Sequence, residues 1–313
     1  MRIVELEPIG IKQDFKESIS RKFGEMGHEV VFYETKPQTE DEKIQRAKDA
    51  EVLIVSNLPL NKAVLSNCKK LKMISVAFAG VDHIDMDYCH HNNIVVSNAA
   101  DYSTKSVAEL TIGMILSLYR EIVWGDSVTR RSEGRNNFLG TELFGKTIGI
   151  IGLGRIGQQV AKYGKTFGCE IIAFNRTPRN IEGIELMPLK EVMQKSDIIS
   201  IHTPLTEETK GMIGKEELEL MKNNAILINT ARGPIVDYSS LAKALTSKSI
   251  AGAAVDVYEK EPPIESDHPL LSAPNMLLLP HLGFATEEAI EKRSEIIVEN
   301  ITKWLNGNPQ NVM

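Results

Sequence analysis

The sequence has few cysteines, no long apolar run and no excess of basic residues. Its three cysteines, Cys68, Cys89 and Cys169, are odd in number and lack the spacing of metal ligands. We therefore predict no metal site and expect a reducing cytoplasm. The formal net charge of −6 gives no reason to expect a nucleic acid or an anionic membrane as partner. No apolar stretch approaches the roughly 20 residues of a membrane span.

Segments typical of strands and helices alternate along the chain, whose 313 residues are enough for two domains. Within the first hundred residues, strands are predicted at 2–6, 29–33, 51–56, 72–77 and 94–97, and helices at 12–26, 41–48 and 62–66. This βαβα order predicts a parallel sheet with helices on both faces. An amphipathic helix is predicted at 287–305, and we expect it to return to the first domain.

A glycine-rich turn at 152–157, with the sequence GLGRIG, lies between a predicted strand and a predicted helix. Gly152 permits a tight turn, Gly154 lets a pyrophosphate approach the backbone, and Gly157 lets the helix pack on the strand. The first turn of the helix then presents free N–H groups and the positive end of its dipole to phosphates. The pattern predicts a dinucleotide site, although a purely structural turn remains the alternative.

The residues after the second strand of this unit indicate which dinucleotide is bound. An NAD site usually has a carboxylate there, which accepts a hydrogen bond from the ribose 2′-hydroxyl. This chain has Asn175, Arg176 and Thr177, and all three side chains can donate to a 2′-phosphate. The sequence therefore predicts NADP in preference to NAD. The alternative is that Arg176 is an ordinary solvated loop residue.

Polar segments follow four later predicted strands, at 203–206, 230–234, 256–259 and 280–283. Parallel strands present their carboxyl ends to one edge of a sheet, so we expect these segments to converge beside the cofactor. His281 suits proton transfer because imidazole titrates near neutral pH. Glu261 can fix its tautomer, and Arg232 can bind a substrate carboxylate and polarise an adjacent carbonyl. Singly, each has a structural alternative as a capping, loop or packing residue.

Two further segments have predicted roles outside this group. Ala79 and Gly80 follow a predicted strand, and their backbone N–H groups could hold a carboxylate; the alternative is an ordinary turn in which Asp82 caps a helix. A strongly apolar helix is predicted at 106–119, which suggests burial between domains or subunits. The stretch 122–144 is less regular, and we interpret it as an arm that crosses to a partner subunit.

Over essentially its full length the chain resembles the D-isomer-specific 2-hydroxyacid dehydrogenase family. The motifs that carry the resemblance are GLGRIG at 152–157, NTARGPIVD at 229–237, AVDVYE at 254–259 followed by Glu261-Pro262, and Pro280-His281. The family's catalytic Arg, Glu and His fall on Arg232, Glu261 and His281. Its carboxylate-binding turn falls on Ala79-Gly80.

The resemblance implies further cofactor contacts and an architecture. The implied contacts, besides position 175, are Arg155, Ile156, Thr203, Pro204, Thr209, Thr230, Ala231 and Asp256. The implied architecture has two doubly wound parallel-sheet domains: a flavodoxin-like substrate domain of residues 1–100 and 284–313, and a Rossmann cofactor domain of residues 101–283. The family usually forms homodimers.

Two departures from the family pattern guide the predicted activity. Asn175 replaces the usual acidic residue, which makes the chain similar to the NADPH-preferring glyoxylate/hydroxypyruvate reductases. Phosphoglycerate dehydrogenases of the family usually carry an Arg near the substrate turn, where this chain has Val76. This difference, and our expectation that no regulatory domain follows Met313, argue against 3-phosphoglycerate as the substrate. We predict hydride transfer between NADP(H) or NAD(H) and C2 of a small 2-oxo acid such as glyoxylate or hydroxypyruvate.

Three alternatives to this prediction remain open. D-3-phosphoglycerate or D-lactate dehydrogenase is the alternative within the same enzyme class. A dinucleotide-sensing protein that resembles transcriptional co-repressors is the alternative from another class, although the chain lacks a basic tract or disordered tail for that role.

Overall fold

A computed structural model describes residues 1–178, 181–260 and 263–313 of the chain. These residues form two compact units. Unit 1 comprises 1–103 and 286–313, and unit 2 comprises 104–285. The limits predicted from the sequence differ from these by two or three residues.

Unit 1 contains a parallel sheet of five strands with helices around it. The strands are β1 (Arg2–Glu5), β2 (Glu29–Phe32), β3 (Val52–Val55), β4 (Met73–Val76) and β5 (Val95–Asn98). The helices are α1 (Gln13–Glu25), α2 (Glu40–Ala47), α3 (Lys62–Leu65), α4 (Met86–His91) and the carboxy-terminal α11 (Glu287–Leu305). The strand order is β2-β1-β3-β4-β5, which is the flavodoxin-like order.

The core of unit 1 explains why its central strands, β3 and β4, are almost entirely apolar. Every residue of β3 and β4 is buried, as expected for parallel strands that helices cover on both faces. Ile297 and Ile301 of α11 pack in the same cluster as Ile3 and Phe23. The side chain of Asn300, also on α11, donates to the carbonyl of Asn98 at 2.9 Å. The last helix therefore belongs to unit 1, as the pattern at 287–305 predicts.

Unit 2 contains a parallel sheet of seven strands within the described residues. The strands are β6 (Thr147–Ile151), β7 (Glu170–Phe174), β8 (Glu185–Leu186), β9 (Ile198–Ile201), β10 (Ile226–Asn229), β11 (Gly252–Val255) and β12 (Met276–Leu278). The helices are α5 (Thr104–Arg120), α6 (Ile122–Arg130), α7 (Arg155–Thr166), α8 (Leu189–Lys195), α9 (Lys215–Glu219) and α10 (Tyr238–Thr246).

The strand order of unit 2 is β12-β11-β10-β9-β6-β7-β8. The chain winds outward from β6 in one direction through β7 and β8, then in the other through β9 to β12. Such a reversal leaves a crevice at the carboxyl end of the central strand, where ligands of doubly wound sheets bind. The predicted fold class, two doubly wound parallel-sheet domains, is confirmed.

The arm at 122–144 differs from its prediction, because its first part is the regular helix α6. Glu121 has a φ of +49°, and this left-handed residue separates α5 from α6. The sequence of α6 mixes weak helix formers. Within the helix, Val128 is buried, and Arg130 forms an exposed ion pair with Asp126 one turn earlier. The burial of Val128 overrides this weak helix propensity. Among the described helices, none combines the length and the apolar character that crossing a membrane requires.

Candidate active site

The glycine-rich turn after β6 has a different constraint at each glycine. Gly152 has a φ of +101°, and a Cβ there would lie 2.8 Å from the carbonyl of His202. A Cβ on Gly157 would lie 2.1 Å from the carbonyl oxygen of Gly152. Gly154 is the N-cap of α7, and a Cβ there would meet nothing within 4 Å. The turn is thus fixed by Gly152 and Gly157 and is open at Gly154, where a phosphate would approach.

The first turn of α7 is suited to hold a pyrophosphate. Arg155, its first residue, is exposed, and Ile156 is half-buried. Gln158 donates from its side-chain amide to the carbonyl of Leu153 at 2.9 Å, which holds the turn to the helix. N–H groups at a helix N-terminus and the dipole behind them favour an anion.

Asn175 braces this turn from the neighbouring strand. Its side-chain oxygen accepts from the N–H of Leu153 at 2.9 Å, and its amide nitrogen donates to the carbonyl of Thr177 at 2.6 Å. The amide that the sequence assigned to a 2′-phosphate thus holds two backbone segments together. Arg176 and Thr177 are exposed, and Arg176 Nη1 lies 2.7 Å from Glu208 Oε2.

The loop after β9 flanks the same turn on its other side. The hydroxyl of Thr203 is buried and has no hydrogen-bond partner among the described residues, which fits a site completed by a polar ligand. Thr209 donates to the carbonyl of Pro204 at 2.7 Å and accepts from the N–H of Thr206 at 2.8 Å. Its hydroxyl therefore shapes the loop.

His202, at the start of this loop, has a structural role. Its Nε2 lies 2.8 Å from the hydroxyl of Ser200, and burial lowers the pKa of the imidazole to about 3. The neutral ring bonds to Ser200, and the backbone of His202 lies against Gly152, so this residue has a packing role.

Asn229, the last residue of β10, arranges the loop that carries Arg232. This fully buried side chain accepts from the N–H of Ala231 at 3.0 Å and donates to the carbonyl of Arg232 at 3.0 Å. Arg232 itself is half-buried, and its Nη1 donates to the carbonyl of Ala231 at 2.8 Å. Thr230 pairs its hydroxyl with Thr111 of α5 at 3.2 Å. The amide of Asn229 thus sets the backbone from which the guanidinium projects.

Asp256, just after β11, holds the loop that carries His281. One carboxylate oxygen accepts from the N–H of Leu282 and the other from that of Gly283, both at 2.7 Å. His281 adopts a φ of +60°, and the ring of Phe284 meets its imidazole edge to face, with centroids 5.3 Å apart. Asp256, a predicted cofactor contact, therefore also fixes the backbone of the two residues that directly follow this histidine.

The loops of Arg232 and His281 meet the same intervening loop. The strands β10, β11 and β12 are neighbours, so their carboxyl ends lie side by side. A Cβ on Gly233 would lie 2.1 Å from the backbone of Tyr258, which shows how closely the Arg232 loop approaches the one after β11. Asp256, which also lies in the loop after β11, accepts two hydrogen bonds from the His281 loop. Glu261, the predicted acidic partner, lies outside the described residues.

The substrate turn predicted in unit 1 follows β4. Ala79 is exposed and Gly80 half-buried, and the side chain of Asn98 at the end of β5 donates to the carbonyl of Ala79 at 2.7 Å. The N-cap of α4 is Asp85, whose carboxylate accepts from Tyr88 N–H, so the alternative in which Asp82 caps this helix is wrong.

Four supporting residues were not predicted from the sequence in these roles: Asn98 at the substrate turn of unit 1, and, in unit 2, Asn229, Phe284 and Asp256 as the holder of the His281 loop. Asn98 and Asn229 each end an apolar strand, and a buried amide at that position is a usable signal. Phe284 and the Asp256 bonds depend on contacts that only the fold creates. Within 1–178, 181–260 and 263–313, no group of three His, Cys, Asp or Glu side chains is placed to hold a metal.

Comparison with known proteins identifies the family. Residues 112–283 match the family described as "D-isomer specific 2-hydroxyacid dehydrogenase, NAD binding domain". The chain belongs to this family. The family resemblance seen in the motifs, and the interpretation as an NAD(P)-dependent 2-hydroxyacid dehydrogenase, are confirmed.

Individual relatives agree with this assignment. The D-3-phosphoglycerate dehydrogenase of Methanocaldococcus jannaschii is 43% identical over 276 residues; the match covers 86% of this chain but only 52% of that protein. The glyoxylate reductase of Thermococcus litoralis is 41% identical, with 86% and 84% covered. Among solved structures, an acyclic imino acid reductase in complex with NADPH and D-Arg has a TM-score of 0.92 at 32% identity, with all of both chains covered.

Proposed function

We propose that this dehydrogenase catalyses reversible hydride transfer between NADP(H) and C2 of a small 2-oxo acid such as glyoxylate or hydroxypyruvate. The proposal rests on one observation: Arg232 and His281 lie on two loops that both contact the segment after β11. That segment lies on the sheet edge that also carries the open turn at Gly154. A binding protein would have no need to fix a guanidinium and an imidazole there.

The side chains have complementary roles in the proposed reaction. When bound, the dinucleotide supplies a hydride to C2 of the keto acid. Arg232 binds the substrate carboxylate and polarises the keto oxygen, because a guanidinium can donate two parallel hydrogen bonds. His281 gives its proton to that oxygen, so the carbonyl becomes a hydroxyl; in the reverse direction it takes the proton back. Glu261 is assigned to hold the imidazole's tautomer.

The two units have separate proposed roles. Unit 1 is the substrate domain, and the N–H groups of Ala79 and Gly80 bind the substrate carboxylate; the bond from Asn98 to Ala79 supports this by fixing the turn. Unit 2 is the cofactor domain. Its phosphate contacts come from Gly152, Gly154, Gly157 and the first turn of α7. Further cofactor contacts come from Thr203, Pro204, Thr209, Thr230, Ala231 and Asp256.

The preference for NADP over NAD rests on Arg176. No carboxylate occupies position 175 to accept from a ribose 2′-hydroxyl, and the exposed Arg176 guanidinium can pair with a 2′-phosphate. The solved imino acid reductase complex contains NADPH, which is compatible with this preference on the same fold.

A substrate and cofactor panel tests the proposed function. Glyoxylate, hydroxypyruvate, pyruvate and 3-phosphohydroxypyruvate are each assayed with NADPH and with NADH, using the wild type and Arg176→Ala. We expect the highest kcat/KM for glyoxylate or hydroxypyruvate with NADPH. Arg176→Ala should weaken NADPH about tenfold and spare NADH, as loss of one charge-assisted phosphate contact predicts.

Other outcomes of this panel would contradict parts of the proposal. A preference for 3-phosphohydroxypyruvate would favour phosphoglycerate dehydrogenase, the activity named for the relative of which this chain spans about half. Val76 is a buried valine of β4, which argues against that activity because position 76 supplies no cation to bind a phosphate. Equal effects of Arg176→Ala on both cofactors would show that Arg176 does not bind the 2′-phosphate. No turnover with any substrate would favour a dinucleotide-sensing protein.

We also propose a homodimer in a reducing cytoplasm. The segment after α5 exposes several large apolar side chains, which suggests contact with another chain: Ile122, Val123, Leu139 and Phe144. The three cysteines are buried thiols without a disulfide, compatible with a reducing compartment. Light scattering should give twice the 34.8 kDa chain mass, and Leu139→Glu with Phe144→Glu should halve it; a monomeric wild type would contradict the dimer.

A further inference from the structure

An ion pair joins the two loops that flank the phosphate-binding turn. Arg176 follows β7 and Glu208 lies in the loop after β9, and these strands are the two neighbours of β6. Arg176 Nη1 and Glu208 Oε2 are 2.7 Å apart. The pair therefore spans the carboxyl end of β6, beside the turn at Gly152 to Gly154.

The pair is exposed and therefore exchangeable. The side chains of Arg176 and Glu208 are 77% and 68% exposed, and water screens such pairs so that they contribute little to stability. The Glu208 loop is itself held in shape, since Thr209 bonds to Pro204 and Thr206. The backbone that carries Glu208 is thus fixed, while the long, exposed arginine side chain can turn from one anion to another.

Glu208 and a 2′-phosphate would require the same guanidinium. A phosphate dianion that pairs with Arg176 must therefore displace the Glu208 carboxylate from the guanidinium. NADH has no such phosphate and leaves the ion pair intact. Glu208 therefore opposes NADPH binding and does not oppose NADH binding.

We propose that Glu208 determines cofactor specificity by competing with the 2′-phosphate of NADPH for Arg176. This inference rests on the proposed NADP-dependent function and adds a residue that reduces the discrimination between the two cofactors. Arg176 exchanges partners: it holds Glu208 when no phosphate is present and holds the phosphate when NADPH is bound.

The test compares Glu208→Gln with Glu207→Gln, a matched control that removes the same charge from the adjacent exposed residue. Dissociation constants for NADPH and NADH are measured by nicotinamide fluorescence at low and high salt. Glu208→Gln should tighten NADPH about threefold at low salt, the size expected for an exposed ion pair. NADH binding should not change, and the gain should shrink at high salt.

Repeating both variants in an Arg176→Ala background separates the possible failures. The proposal predicts that Glu208→Gln has no greater effect than Glu207→Gln once Arg176 is absent. If Glu208→Gln still tightens NADPH there, simple repulsion replaces competition and the proposal is overturned. If Arg176→Ala weakens NADPH but the two glutamine variants behave alike, only the role of Glu208 fails. If Arg176→Ala leaves NADPH unaffected, the proposed NADP preference fails and this inference fails with it.

Discussion

Replacement of His281 by Asn should lower kcat about 10²- to 10⁴-fold, the usual contribution of a general acid–base residue, while the dissociation constant of NADPH stays unchanged. Asparagine is the appropriate replacement because His281 has a φ of +60°, a conformation that Asn tolerates better than most residues. The backbone N–H groups of Leu282 and Gly283 donate to Asp256, so these hydrogen bonds are kept in the variant. The expected loss therefore reports on the imidazole.

The measurement is steady-state reduction of glyoxylate with saturating NADPH, together with a fluorescence titration of NADPH binding. His91→Asn, an exposed histidine of α4, is the matched control and should retain full activity. Wild-type turnover by the His281 variant would show that the proton comes from another group. Loss of NADPH binding would instead show that the substitution had disturbed the loop.

Replacement of Arg232 by Lys should lower kcat/KM about 10²- to 10³-fold, as removal of a preorganised donor to a developing negative charge does. Lysine keeps the charge but loses the planar pair of donors that matches a carboxylate. Arg232 Nη1 donates a hydrogen bond to the carbonyl of Ala231, so the guanidinium is oriented before the substrate binds. The shorter, rotating ammonium would lose that orientation.

The effect should appear in both kcat and the KM of the 2-oxo acid, because Arg232 is assigned to the carboxylate and the keto oxygen. Arg21→Lys, on an exposed position of α1, controls for the substitution itself. A change in KM alone would restrict Arg232 to substrate binding. An unchanged kcat/KM would show that Arg232 acts neither in substrate binding nor in catalysis.

Local patterns in the sequence predicted the elements of the site, because those patterns act over a few residues. The spacing of Gly152, Gly154 and Gly157 reports steric limits within one turn, and the structure has the corresponding close approaches at Gly152 and Gly157. Buried apolar runs located the strands to within a residue or two. The helix α6 was missed because its sequence has weak helix propensity and the burial of Val128 that supports it depends on the fold.

Contacts between distant residues could not be predicted from the sequence. Asp256 holds Gly283 across 27 positions, Asn175 holds Leu153 across 22, and Arg176 meets Glu208 across 32. Each depends on which strands become neighbours, and that order follows from packing of the whole sheet. Asn175 was assigned to the cofactor from its place after the second strand, and Asp256 from the family resemblance; only the fold revealed their bonds to backbone.

The most direct test of the central claim is a double-mutant cycle on Arg232 and His281, measured as single-turnover reduction of glyoxylate with NADPH bound. The claim is that both side chains act on one keto oxygen, and residues that act as a unit have non-additive effects. The variant with both Arg232→Lys and His281→Asn should therefore be about as slow as the slower single variant. Losses that multiply across the two sites would mean that the two side chains act independently, and the account would be contradicted.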